Sequence, residues 1–520
     1  MLAKIFRFII GRPSPESRKK NSHGDATREV VETVVFVISL VLILKLFVAE
    51  AFVIPTGSMA DTLWGDQIVV ECSECKHKFP VSFSNGEHQE NDIRGMGLPV
   101  ACQNCGFEQF ARVADWATGD RVLVAKYDHH IRAPKRFEVP VFKFPQEPYK
   151  QVTGANDYAH MNYIKRLVGL PGETIGILGG DLFVYRGELY PDLPKPDSRM
   201  DLWKKDFCYV SNAKSISLFQ EGKFELIRKS PDEILNMKRL VFDTDHLPSS
   251  VRGASQTRWH IHPDSAQAAG WQENEKKFIH NGPDLGWIRY QHVQPGWDRS
   301  TNIRQPAPIR DFLAYNKGTS STANVVDLII EAEAEFNSSQ AKISFELARY
   351  GVVYHVDFVG GKCLLSKSTL NQVPVAFAES TTKIVDSGKF AIRVANVDCR
   401  LTVWVDGKVL DFSGKNDYPP TLSIPADSDP RDVNEPIRIG ASGDISLGKL
   451  KLFRDIYYLP NESSHTVPET YFVQPGHYLC FGDNCIASAD SRSWGTVPER
   501  LMLGRAVAVY YPISRWGLIK

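Results

Sequence analysis

One stretch limits this chain more than any other. Residues 30–54 read VVETVVFVISLVLILKLFVAEAFVI, and positions 33 to 44 carry no charge. As a helix, residues 33–53 would be roughly 31 Å long, about one hydrocarbon core. A buried core helix of that length usually shows a polar stripe. Lys45 interrupts the run and would have to reach toward an interface. The sequence therefore predicts an uncleaved transmembrane anchor over 30–54. The preceding tail, 1–29, carries Lys4, Arg7, Arg12, Arg18, Lys19, Lys20 and Arg28 against Glu16, Asp25 and Glu29. That excess predicts a cytoplasmic N-terminus and a single pass through the cytoplasmic membrane, with everything after 54 on the exported side. A removable leader fits less well, because its polar lead would be too long and no small-residue cleavage pattern follows the apolar run.

Beyond the anchor the patterning is mainly β. QIVV at 67–70, GDRVLVAKY at 119–127 and RFEVPVFKFP at 136–145 read as strands, the last ended by proline. YIKRLVGLPGETIGIL at 163–178 reads as two strands around a Pro-Gly turn, and 181–190 as a hairpin. From 191 to 309 the signals weaken into an irregular insert holding several tryptophans. From 310 to 465 alternation returns. Leu328, Ile330, Ala332, Ala334 and Phe336 share one face, and turns are expected at Gly360-Gly361 and Asp406-Gly407. Many short strands with such turns predict a β-sandwich, similar to laminin-G or concanavalin-type jelly rolls. No calcium or sugar constellation is visible in it.

Nine cysteines are too few for a disulfide scaffold, but four form two close pairs, Cys72-x2-Cys75 and Cys102-x2-Cys105, with 26 residues between them. Each pair can offer two thiolates to one tetrahedral ion, as in a zinc ribbon spanning 71–110. The exported location favours oxidation to disulfides, so both outcomes stay open. Lys+Arg and Asp+Glu are 61 each, and that balance argues against a nucleic-acid partner.

Three blocks then belong together: PTGSM at 55–59, YIKRLVGLPG at 163–172 and GDNCIASADSRSWG at 482–495. Alone, Ser58 is a turn serine, Lys165 a surface lysine, and Asp490 with Arg492 a salt bridge. In this order behind an apolar run, they resemble the bacterial type I signal peptidases, membrane serine proteases with a Ser-Lys dyad. The resemblance covers under half the chain, and the enlargement is similar to planctomycete-type forms of the family. It implies a catalytic domain assembled from 55–70, 111–190 and 466–520, with Ser58 as nucleophile and Lys165 as general base. A hydroxyl needs such a base, and lysine serves only when apolar burial keeps it neutral. Tyr163, Ile164, Leu167 and Val168 are the apolar flanks here. The resemblance further implies that Thr56 joins the Ser58 N–H in an oxyanion hole. Ser488 would orient the lysine, Asp490, Arg492 and Arg166 would support the site, and Phe52, Ile54, Met59 and Ile164 would line the substrate pockets. No cofactor is expected for catalysis. Substrates would be signal peptides of exported preproteins, cut after small residues of A-x-A type.

Three positions depart from the family pattern: Cys485 stands at a usual arginine, Asp61 at a common proline, and Phe137-Glu138 at a usual Gly-Asp. Cys480 and Cys485 are near enough in sequence to pair if their strands allow it. The competing reading is a catalytically inactive membrane-tethered protein that binds a glycan or other cell-envelope ligand through the sandwich.

Overall fold

A computed structural model describes residues 22–83, 98–111, 116–145, 161–187, 189–190, 202–248, 258–274, 276–293, 305–317, 321–338, 340–369, 372–385 and 387–519. Most of the expected basic tail, and Trp297, lie outside these. The apolar run is divided among three elements: an α-helix at Ser22–Ile43, a π-helical turn at Leu44–Val48 and a β-strand at Ala49–Val53. No helix among the described residues is long and apolar enough to cross a membrane. This corrects the continuous span expected over 30–54. The last apolar residues are claimed by a sheet, because Ala49 to Val53 pair antiparallel with Ala125 to Arg121. The helix also spends its first turns on polar SHGDATRE. Its apolar side chains from Val30 to Ile43 are exposed.

Three small sheets form the core that holds the PTGSM, YIKRLVGLPG and GDNCIASADSRSWG blocks. The first runs Ala49–Val53, Arg121–Ala125, Met502–Tyr511, Pro140–Lys143, Asn162–Ile164, with Gly517–Leu518 on Met502–Tyr511. The second joins Arg166–Gly169, His477–Phe481 and Val497–Pro498. The third joins Glu225–Leu226, Asp181–Tyr185, Thr174–Leu178 and Glu469–Phe472. Strands from 49–226 and from 469–518 are therefore hydrogen-bonded neighbours, and most of what lies between 226 and 469 is looped out of one core.

The largest looped-out unit is a β-sandwich of two antiparallel sheets whose inner faces share one apolar core. Leu328, Ile330, Ala332, Ala334 and Phe336 all point into it, as their alternation predicts. The two expected hairpins are present, each with both turn residues at positive φ: Gly360 and Gly361 at 55° and 74°, Asp406 and Gly407 at 47° and 77°. The segment read as irregular differs. Arg239–Asp243, Trp259–Ile261, Trp271–Asn274, Lys277–His280 and Gly286–Tyr290 are strands of the same two sheets. Most are short and rich in Trp, His and charged residues, so their burial comes from aromatic packing rather than aliphatic alternation.

Candidate active site

The strand Ala49–Val53 delivers the chain to Ile54, whose N–H donates to Asp120 O at 2.9 Å. Thr56 is extended, and Gly57–Met59 then make one 3-10 turn, closed by Ala60 N donating to Gly57 O at 3.0 Å. Ile54 and Met59 are buried in an apolar cluster with Leu63, Val122, Val141 and Ile164, against which the half-buried Phe52 packs. That cluster fixes the turn and leaves Ser58 facing inward, 8% exposed.

Lys165 sits where the chain changes sheets. Asn162–Ile164 belongs to the first sheet and Arg166–Gly169 to the second, so Lys165 is the hinge residue between two strands. Its Nζ lies 2.6 Å from Ser58 Oγ, and the residue is 3% exposed. Burial lowers its pKa to about 8, against opposing pulls from Asp490, Cys480 and Asp483. The amine is thus held ready to be neutral near physiological pH, beside a hydroxyl that a neutral amine can deprotonate.

Two buried ion pairs brace this arrangement. Arg166 forks onto Asp483 at 2.7 and 2.6 Å and donates to Phe137 O at 2.6 Å. Arg492 forks onto Asp490 at 2.8 and 2.7 Å. Burial by itself would raise both carboxyl pKa values; the guanidinium beside each outweighs it and holds the acid below the usual range. Asp490 Oδ2 also accepts the Gly482 N–H at 2.9 Å. Ser488 lies beside Gly482, where a Cβ would meet its Oγ at 2.1 Å. Its Oγ is buried and makes no hydrogen bond to Lys165. Thr56 is exposed at the rim of the turn, and its side chain makes no cap to it. Cys480 and Cys485 are both free and pack in different clusters. The Cys485 thiol is pushed up to about 12 by desolvation and donates to Gly482 O, so the position of the usual arginine is filled by a half-buried, protonated thiol.

With the geometry in place, comparison with known proteins finds similarity in two segments of the chain. The family model for "Signal peptidase, peptidase S26" matches residues 111–222 and 402–511. The two matched segments, together under half of the chain, are similar to that family. Signal peptidase I of Pseudomonas aeruginosa is 29% identical over 181 residues, 35% of this chain and 45% of that protein. Signal peptidase I of Leptolyngbya laminosa is 38% identical over 65 residues, 12% of this chain and 30% of that protein. The chain thus spans less than half the length of these relatives. The matched segments contain Lys165, Ser488, Asp490 and Arg492, while Ser58 lies outside them. Among solved structures, carbohydrate binding module CBM66 from Bacillus subtilis covers 38% of this chain and 93% of its own, at 10% identity and a TM-score of 0.21. Sheep galectin-11 covers 24% and 90%, at 12% identity and 0.19. These TM-scores are too low to assign the sandwich a ligand.

The segments inserted between the core strands bring two further features. Cys72 and Cys75 sit in the turn between Gln67–Glu71 and Lys78–Ser82, and Cys102 and Cys105 in the turn between Leu98–Ala101 and Glu108–Ala111. All four sulfurs are buried and lie within 4.8 Å of one another, with Cys72 to Cys105 and Cys75 to Cys102 at 3.6 Å. The other feature escapes sequence reasoning. Arg239, Tyr315 and Asn316, from the inserted region, touch the Ser58 loop or its supports. Asp483 and Asn484 belong to the GDN stretch at 482–484 but were not expected as site residues; nothing in the sequence ties Arg239 or Asn316 to position 58.

Proposed function

We propose that this chain is a serine endopeptidase that removes signal peptides from exported preproteins, with Ser58 as nucleophile and Lys165 as general base. The single observation carrying this is the 2.6 Å approach of a buried lysine amine to a buried serine hydroxyl, with no carboxylate hydrogen-bonded to that amine among the described residues. Neutral Lys165 takes the Ser58 proton as Oγ attacks the scissile carbonyl. The Ser58 N–H and the Thr56 hydroxyl hold the oxyanion. The protonated amine then gives its proton to the departing amide nitrogen, and on returning to neutral activates the water that hydrolyses the acyl-enzyme. Small side chains preceding the cut fit the apolar surface beside the half-buried Phe52, since Ile54, Met59 and Ile164 are already packed into the core.

The reading extends to a membrane address, with the catalytic face on the exported side of the cytoplasmic membrane. Its support is the exposed apolar side chains of Val30 to Leu44, continued by exposed Phe47 and Val53 and by Ile513, Trp516 and Leu518 near the far end of the same sheet. It extends also to one structural zinc ion on Cys72, Cys75, Cys102 and Cys105. Metal–sulfur bonds of about 2.3 Å at tetrahedral angles put sulfurs about 3.8 Å apart, close to the spacing present. Four protein ligands leave no open position, so the ion would hold the two hairpins together and take no part in the reaction. Elemental analysis should give one zinc per chain, lost in Cys102→Ser. A glycan or other envelope ligand for the sandwich would have a polar cleft of about 650 Å³ available, lined by His262, Glu346, His355, Arg431 and Arg438. Oligosaccharide binding abolished by Arg438→Ala would support that ligand, and no binding by the intact protein would remove it.

The decisive test is cleavage of a preprotein carrying an A-x-A site by the intact, detergent-solubilised protein, beside Ser58→Ala and Lys165→Ala. Cleavage after the small residue, reduced by about a thousandfold or more in each variant, is the expected result. Folded wild type that leaves several such preproteins intact would overturn the reading.

A further inference from the structure

The Ser58 loop is held from two sides, and one side belongs to the inserted region. Asn316 and Asn484 form a reciprocal amide pair: Asn316 Nδ2 donates to Asn484 Oδ1 at 2.8 Å, and Asn484 Nδ2 donates to Asn316 Oδ1 at 2.7 Å. Asn484 then reaches the loop twice. Its Nδ2 donates to Gly57 O at 3.0 Å and its backbone N–H to Ser58 O at 3.1 Å. Next to Asn316, the Tyr315 ring walls Gly57 so closely that a Cβ there would lie 1.9 Å from its Cε1, while its hydroxyl donates to Asp66 O at 3.1 Å. At the loop's other end, Arg239 Nη2 donates to Thr62 Oγ1 at 2.8 Å, and that hydroxyl donates to Asp483 at 2.5 Å. The segment bearing Tyr315 and Asn316 has its own footing in the cysteine hairpins. Ala314 N donates to Gln103 Oε1 at 3.4 Å, and buried Asn104 grips the backbone of Asp243 and His246.

The chemistry of one peptide unit gives these contacts a consequence. Gly57 C=O and Ser58 N–H share a planar trans peptide, so they point in opposite directions. Holding Gly57 O on Asn484 fixes the direction in which the Ser58 N–H is presented. An asparagine amide is nearly symmetric in shape and opposite in charge at its two ends. Rotated by half a turn, Asn484 would aim Oδ1 at Gly57 O and repel it. The acceptor Gly57 O selects the productive orientation, and the reciprocal bonds from Asn316 hold the amide plane of Asn484 there. We propose that Asn316 is a positioning residue for the oxyanion site, acting through Asn484, so that the inserted region completes the catalytic machinery rather than merely decorating it. This rests on the peptidase reading above.

The test uses the full chain in detergent with the same preprotein, comparing wild type, Asn316→Ala, Asn316→Asp, Asn484→Ala and the double variant Asn316→Ala/Asn484→Ala. Rates are expressed per serine titrated by the acylation burst, which separates misplacement from misfolding. Loss of one oxyanion donor costs about 100- to 1,000-fold, so disturbing its aim in Asn316→Ala should lower kcat about 10- to 100-fold. KM should stay within about twofold, and the pH midpoint set by Lys165 should not move. Asn316→Asp keeps an acceptor for Asn484 Nδ2 and should fall between wild type and alanine; it also carries the test if the alanine variant does not fold. Because Asn316 acts through Asn484, the double variant should be no slower than Asn484→Ala alone. A kcat per titrated serine within about twofold of wild type in both Asn316 variants, or fully additive losses in the double variant, would overturn the proposal. If wild type itself fails to cleave, the peptidase reading falls, and this inference falls with it.

Discussion

Two lysines are buried to the same extent in this molecule, and their surroundings give them opposite chemistry. Lys165 and Lys229 are each 3% exposed. Lys165 meets a hydroxyl, that of Ser58, at 2.6 Å, and burial draws its pKa down to about 8. Lys229 lies between two carboxylates, Asp398 at 2.6 Å and Asp455 at 2.8 Å. Burial pulls against its charge too, but the two acids outweigh burial and raise its pKa above the ordinary lysine value. Burial alone therefore does not make a base. The site needs burial without a carboxylate in contact, and the nearest acids there, Asp483 and Asp490, are each occupied by an arginine fork.

Exchanging each lysine for methionine should break this contrast in opposite directions. The largest effect is on activity: Lys165→Met should lose cleavage by about a thousandfold or more. The same variant should gain stability. The folded-state pKa lies below the unfolded value, so the penalty for burying the charge is fully present below pH 8 and vanishes as pH rises toward 10.5. At pH 7 the gain should be on the order of 3 kcal/mol, visible as a higher Tm that converges on wild type in alkali. Lys229→Met should do the reverse, leaving two buried acids unpaired and costing about 3–5 kcal/mol by denaturant titration. Thr56→Val should slow turnover about tenfold and Thr56→Ser less than about threefold, if the hydroxyl assists the oxyanion. The smallest effect concerns the face of Lys229. Its Nζ lies 5.8 Å from the Phe137 ring centroid, and Phe137→Leu should cost about 1–2 kcal/mol without moving the pH midpoint of cleavage.

How much of this was legible follows the distance over which each residue acts. Lys165, Arg166, Asp490 and Arg492 sit in short blocks whose residue types already state the chemistry, and the structure gathers those blocks around Ser58. The strand Leu328–Phe336 was legible because from Ile330 onward it buries every second residue. The strands between 239 and 290 were not, since their inward residues are Trp259, Trp271, His280 and Tyr290, with polar groups that disguise a core face. The apolar run misled for a related reason. Hydropathy does not distinguish the helix ending at Ile43 from the strand Ala49–Val53, and only pairing with Arg121–Ala125 decides. Phe137 shows a third kind of limit. It takes φ of +67° at the position where the family resemblance places glycine, a conformation costing roughly 1–2 kcal/mol, and its buried ring and the bond from Arg166 to its carbonyl hold it there. Asn316 lies 168 residues from Asn484, and no local pattern announces such a pair.

The central claim is that Lys165 is a base because its burial is not compensated by a contacting acid. Its most direct test is the pH dependence of kcat/KM for preprotein cleavage by wild type between pH 6 and 10. Only the neutral amine can take the Ser58 proton, so the rate should rise through a single ionisation near 8 and level off above it. A profile flat from pH 6 to 9, or one still climbing through the ordinary lysine range, would contradict the account.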